Sequence, residues 1–141
     1  MYRSILLPLD LEHENSWRKA LPVARGLADA FAAELHLLVV VPVVSQSYVG
    51  QFFPADYQTQ LAAEVEKQLR AFARERLGEA AVGLHVAHGR ISDEILAAAE
   101  RLGCDLIVMA SHRPRIADYL IGPFAAHVVG HSRKSVLVVR D

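Results

Sequence analysis

Apolar residues recur along the chain in two rhythms. Short, dense runs of Leu, Ile and Val alternate with longer stretches whose apolar positions return every three or four residues. The first run, Ser4–Leu9 (SILLPL), ends in Asp10 and reads as a buried strand whose proline belongs near its end. Asn15 or Ser16 is placed to cap a helix reaching about Ala33, with Leu21, Ala24, Leu27, Ala28 and Phe31 inward and Pro22 marking a bend or a late start. Glu34–Val41 (ELHLLVVV) is a second strand, stopped by Pro42. Residues 43–56 carry no pattern and read as a surface loop or flap.

Leu61, Val65, Leu69 and Phe72 then mark a long helix to about Leu77, which Gly78 is placed to end. Val82–His88 alternates apolar and polar positions, the pattern of a half-exposed strand at a sheet edge. Ser92 is expected to cap the next helix, with Asp93 and Glu94 in its first turn and Ile91 and Leu96 forming a staple across the cap. Gly103 ends that helix, and Ser135–Val139 (SVLVV) gives a last strand. Five strands alternating with four helices predict an α/β fold, a parallel sheet covered by helices on both faces.

The organising stretch is Leu106–Phe124 (LIVMASHRPRIADYLIGPF). Its apolar start, Leu106–Ala110, suits a strand buried on both faces. Ser111, His112, Arg113 and Pro114 break the run, and Pro114 forces an extended backbone on its predecessor. Gly122–Pro123 then opens a helix, Pro123 at its first position, with Phe124, Val128 and Val129 on one apolar face. Buried strand, polar loop and helix N-terminus form the layout with which open α/β sheets bind anions and nucleotides.

Composition narrows the class. The 141 residues form one ordinary domain, and 52% apolar with 22% charged residues is a globular balance. A formal charge of −1 gives no reason to expect nucleic acid or an anionic membrane as partner. The N-terminal apolar run is too short to span a membrane and lacks the features of a signal segment, so the expectation is a soluble cytoplasmic protein. Cys104 is the single cysteine, which excludes an internal disulfide, and it reads as a packing residue.

ILLPLD at the start, VVVP after the first helix, and IVMASHRP…YLIG…AAHVVGHSRKSVLVV resemble the universal stress protein family over essentially the whole chain. The second half is most similar to its small bacterial F/G-type branch. The resemblance implies a single domain over residues 1–141, a doubly wound five-stranded sheet in order 3-2-1-4-5, and a ligand crevice between the first and fourth strands. It implies an adenine nucleotide there, ATP or AMP, with or without magnesium. Pro8, Leu9 and Asp10 would line it from the first strand, Asp10 facing the nucleotide directly or through a metal ion, and Val40 would meet adenine through its backbone. Met109, Ala110, Ser111, His112, Arg113, Arg115, Gly122, Pro123 and Phe124 would supply the rest. The family's loop, Gly-x-x-Gly, nine residues, then Gly-Ser or Gly-Thr, is altered: Ala110 and Arg113 replace the first glycines, the spacer is one residue shorter, and Pro123 replaces the hydroxyl residue. Pro123 removes an N–H and a hydroxyl, while Arg113 and Arg115 add positive charge suited to phosphate.

Bland readings stand beside these. Asp10 also suits a turn, and Ser111 and His112 could serve loop backbone groups. Trp17 and Tyr48 suit core cover. His127 and His131 are four apart on the last helix, with no third ligand nearby in sequence, and no metal site is expected. No catalytic constellation is present: neither a Gly-x-Ser-x-Gly elbow nor a Gly-x-x-x-x-Gly-Lys loop occurs. A nucleotide-binding regulator is therefore expected, with at most slow hydrolysis or self-phosphorylation. The alternative is an interaction module of the same fold that no longer binds nucleotide; an enzyme on a related fold ranks last. The final strand should be an open edge that pairs two copies through Val136, Leu137, Val138 and Val139.

Overall fold

The computed structural model describes residues 1–42, 56–111 and 122–140. In chain order the elements are β1 (Ser4–Pro8), a 3-10 turn (Glu14–Ser16), α1 (Ala20–Phe31), β2 (Glu34–Val41) and α2 (Tyr57–Leu77), followed by β3 (Gly83–His88), α3 (Ile91–Arg101), β4 (Leu106–Ser111), α4 (Pro123–His131) and β5 (Ser135–Arg140). All strand pairs are parallel, in the order β3-β2-β1-β4-β5. The expected α/β topology is thus observed, with β3 and β5 at the edges. The expected loop 43–56 and Tyr48 fall almost wholly outside the described residues.

Strand alternation divides the core into two layers. Ile5 and Leu7 of β1, with Leu35, Leu37 and Val39 of β2 and Leu106 and Val108 of β4, face one side. There they meet Leu21, Ala24 and Ala28 of α1 and Leu69 and Ala73 of α2. Leu6, Leu38, Ile107 and Met109 face the other side, against Ile95, Ala98 and Ala99 of α3 and Ala125 and Val128 of α4. Ile5, Leu6 and Leu7 are fully buried, so each contributes roughly 1.5–3 kcal/mol of transfer free energy. That makes the central strand the least replaceable element of the fold.

Pro8 sits at the end of this central strand because of where its missing donor would point. The Leu9 amide donates to the Leu38 carbonyl of β2 at 2.9 Å. Successive amides alternate sides along a strand, so the nitrogen of Pro8 faces β4. No ladder bond is lost on the β2 side.

Several helix boundaries differ from expectation. α1 begins at Ala20, and neither Asn15 nor Ser16 caps it; the Ser16 hydroxyl is held by the preceding loop instead. Pro22 therefore lies in the first turn, where the backbone needs no donor. α3 begins at Ile91, so Ser92 is inside the helix and not its cap, although Asp93 and Glu94 do occupy the first turn. On α4 the buried stripe is Ala125 and Val128; Phe124 and Val129 flank it and are exposed. Leu27 and Phe31 are only partly buried, Phe31 meeting Tyr2 edge-on. Trp17 does cover the core, edge-on to Phe72 with the Arg76 guanidinium 4.6 Å from its ring centroid. Cys104 is fully buried, and desolvation pushes its thiol pKa up, as befits a packing residue.

Candidate functional site

β1 and β4, neighbours in the sheet, are tied together at one end. At their beginnings, the Asp105 carboxylate accepts the amides of Arg3 (3.0 Å) and Ser4 (3.0 Å), and the Asp105 amide returns a bond to the Ser4 carbonyl (2.9 Å). Burial alone would raise the Asp105 pKa, but the two accepted amides outweigh it and hold the carboxyl below its usual value. The β1–β4 ladder then comprises only Ile5–Leu106 and Leu6–Ile107. By contrast, β1–β2 pairing runs on to Pro8–Leu38, and β4–β5 pairing to Ser111–Arg140. Hydrogen-bonded pairing of β1 with β4 thus ends earlier than that of either with its outer neighbour, Pro8 having no N–H to give β4, and it ends where the strand order reverses. That is the switch point at which open α/β sheets hold ligands.

Three groups of residues border this switch point. From β2, the Leu38 carbonyl accepts from β1, so two residues later the Val40 N–H and C=O point to the same side, past the end of β1. A flat heterocycle could meet both. Val40 is half-buried and presents its backbone, not a reactive side chain.

From β1, Pro8 and Leu9 are buried and form wall, whereas Asp10 is exposed. The Asp10 carboxylate has local partners: Oδ1 accepts the Glu12 amide at 2.9 Å and Oδ2 lies 2.8 Å from His13 Nδ1. The Asp10 amide donates to Ser16 Oγ at 2.8 Å, and that hydroxyl reaches the carbonyls of Asp10 (2.8 Å) and His13 (2.7 Å). Asp10 is thus the former of a closed turn, and its exposed oxygens keep capacity for a further donor or cation. His13 and Ser16 were not anticipated as site residues. The signal was the three-residue spacing Asp10, His13, Ser16 in a polar turn.

From β4, Met109 is buried in the second core layer, Ala110 is half-buried, and Ser111 is 8% exposed. Ser111 Oγ accepts the amide of Gly122 at 3.2 Å, joining the two ends of the intervening loop. His112, Arg113 and Arg115 lie outside the described residues. Gly122 precedes α4 in an extended conformation with no side-chain cap, and its carbonyl accepts the first helical bond from Ala126 at 2.9 Å. Gly122 had been expected to offer its donor to a ligand; that donor is engaged by Ser111. Pro123 has none, so the amides of Phe124 and Ala125 are the helix-start donors with no acceptor inside α4.

The His127 and His131 rings stack at 4.1 Å, and Asp93 of α3 comes within 3.5 Å of His127 Nε2, a neighbour the linear sequence did not disclose. No group of three or more metal-ligating side chains with suitable placement occurs among the described residues. No helix among them is long and apolar enough to cross a membrane.

With this geometry in hand, comparisons with known proteins are specific. The model of the Universal stress protein family matches residues 1–140. Universal stress protein G of Shigella flexneri is 33% identical over 144 residues, spanning 99% of this chain and 100% of that protein. The protein of the same name from Salmonella typhimurium is 32% identical with the same coverage. Among solved structures, hypothetical protein MJ0577, the subject of a structure-based assignment of biochemical function, superposes with a TM-score of 0.73 at 28% identity, covering 100% of this chain and 97% of that one. A universal stress protein in complex with cAMP superposes at a TM-score of 0.64 with 22% identity, covering 99% and 97%, a likeness of fold.

Proposed function

The chain belongs to the universal stress protein family, and we propose that it is a stress-response regulator that binds an adenine nucleotide, ATP or AMP, between β1 and β4. The observation carrying this reading is the reversal of strand order between β1 and β4, with the Val40 backbone directed past the end of β1. That arrangement supplies an N–H and a C=O for a base edge, at the place where ligands enter such sheets. A solved protein of the same fold is in complex with cAMP, which supports an adenine ligand.

The whole chain acts as one nucleotide-binding domain. Pro8, Leu9, Met109 and Ala110 wall the crevice, and Asp10 and Ser111 offer oxygens at its rim. Phe124 offers its amide, and His112, Arg113 and Arg115 supply the loop's share of phosphate binding, with magnesium where the ligand is ATP. Its output is regulatory, and any hydrolysis or self-phosphorylation is slow. It works in the cytoplasm as a homodimer. β5 is an edge strand with Leu137 39% exposed and Val136 and Val138 half-buried, which supports self-pairing there.

One observation favours a second reading, an interaction module without nucleotide. Ser111 consumes the Gly122 amide and Pro123 offers none, so the start of α4 grips phosphate weakly. Calorimetry with ATP, AMP and adenosine, with and without magnesium, separates the two. Pro123 is exposed, so Pro123→Ser leaves the fold intact. It should tighten ATP by roughly 1–2 kcal/mol, one hydrogen bond to a charged group plus a small dipole contribution. Binding by the wild type that tightens in the variant supports the nucleotide regulator. No binding by either supports the interaction module.

A further inference from the structure

At the end of the sheet opposite the crevice, two histidines from neighbouring strands face each other. His36 is near the start of β2 and His85 near the start of β3, and His36 Nδ1 lies 3.0 Å from His85 Nε2. The His36 side chain is 15% exposed, and its Nε2 lies 3.3 Å from Glu34 Oε2. Directly opposite His36 in the ladder stands Gly83. A Cβ on Gly83 would collide with His36 Nδ1 and come within 2.9 Å of His85 Nε2. The backbone there has no left-handed conformation to require glycine. Position 83 is glycine because the imidazole pair occupies the space of its side chain.

The chemistry of the pair limits its proton content. Glu34 accepts and does not donate, so His36 Nε2 carries a proton toward it. The gap between His36 Nδ1 and His85 Nε2 then holds one shared proton. With both rings neutral, His85 donates to His36; with one proton added, His36 donates to His85. A second added proton puts two N–H groups nose to nose, and the bond is lost between two cations. The bond therefore survives the first protonation and fails on the second.

We propose that the His36–His85 bond is an acid-sensitive latch that fastens the edge strand β3 to β2 and releases it when both rings are charged. β3 is the strand for which this matters, because among the described residues it pairs in the sheet only with β2. The charged groups facing the pair are Glu34 on β2, 3.3 Å from His36 Nε2, and Arg101 at the end of α3, which opposes a charge on His85. Desolvation, then His36, then Arg101 lower the His85 pKa below 6.5. A depressed folded-state value means that this stability is present above pH 6.5 and is lost as pH falls through the value in the fold. The latch thus opens on the acid side of the ordinary histidine range, independently of any nucleotide in the crevice.

The test is residue-resolved amide exchange between pH 7.5 and 5, corrected for intrinsic rates, with imidazole nitrogens followed by NMR on the same samples. The expected result is that β3 amides bonded to β2 lose protection relative to those of β1, by up to about tenfold for each unit that His85 lies below 6.5. The loss should track the second imidazole protonation. Gly83→Ala, which expels the rings without removing either, should show the weakened β3 already at pH 7.5. His85→Gln keeps a donor for His36 but cannot titrate, and should flatten the pH dependence. β3 protection that follows β1 throughout the range overturns the proposal, as does His85 titrating in the ordinary range. The wild-type titration decides the matter even if a variant fails to fold.

Discussion

Ser111→Ala is the most discriminating single change at the crevice, because stability and ligand affinity should respond in opposite senses. The hydroxyl is 8% exposed and accepts the Gly122 amide at 3.2 Å in buried surroundings. Removing it leaves a buried donor without its partner, which costs about 1–3 kcal/mol. The bond is longer than the usual 2.9–3.0 Å, so the lower half of that range, about 1–2 kcal/mol, is expected. At about 2.1 cal/mol/K of unfolding entropy per residue, a 141-residue chain melts about 3 °C lower per kcal/mol, giving a loss of about 3–7 °C. Ser111→Thr keeps the hydroxyl and should recover most of it.

Differential scanning calorimetry reads the stability, and exchange of the Gly122 amide reads the bond itself. The same substitution frees that amide to meet a phosphate, so ATP affinity should hold or rise while the melting temperature falls. A variant that melts within a degree of wild type with unchanged Gly122 exchange would refute the account of the bond. A loss of affinity would place the hydroxyl on the ligand instead.

Two further outcomes follow from the loop and the edge. Arg113→Ala should weaken ATP by about 1.5–3 kcal/mol, as for a charge-assisted hydrogen bond, and adenosine hardly at all; titration calorimetry with both ligands shows whether the charge meets phosphate, and equal losses would mean that it shapes the loop. Val136→Glu with Val138→Glu should convert a dimer into a monomer in sedimentation at micromolar concentration, since both side chains are half-buried on the edge strand β5; a dimer indifferent to the charges would place the interface elsewhere.

The fold was legible because burial on both faces leaves an unmistakable mark. β1 and β4 read as unbroken apolar runs, and the three-to-four spacing on α1 and α2 picked out residues that do pack against the sheet. What failed was capping. Asn15, Ser16 and Ser92 are all good cap residues by type, yet none caps a helix by its side chain. Ser16 binds the Asp10 turn, and α1 starts later without a side-chain cap. The apolar face of α4 was misread for a related reason. A nine-residue helix spans too few turns for Phe124, Val128 and Val129 to declare which lie inside, and the sheet selected Ala125 and Val128. At the site, residue types were legible but their partners were not. That Ser111 would spend its lone pair on Gly122, or that His36 and His85 would meet over Gly83, depends on register between strands distant in sequence.

The start of α4 concentrates the functional question into a competition for donors. A helix N-terminus binds an anion through its first amides and the partial charge that they carry. Here Gly122 is bound to Ser111, Pro123 has no amide, and Phe124 and Ala125 are left. The Ser111–Gly122 bond joins the residues that flank the loop between β4 and α4. The same bond withdraws a donor from a ligand. A phosphate held at this end must therefore draw more of its stabilisation from cationic side chains than from backbone, and Arg113 and Arg115 stand in the loop sequence where such charge is required. Side-chain charge acts over a longer range than a fixed amide and is screened by salt. A nucleotide gripped in this way is released more readily as ionic strength rises than one seated on a complete helix start, which suits a protein that reports on conditions more than one that stores its ligand.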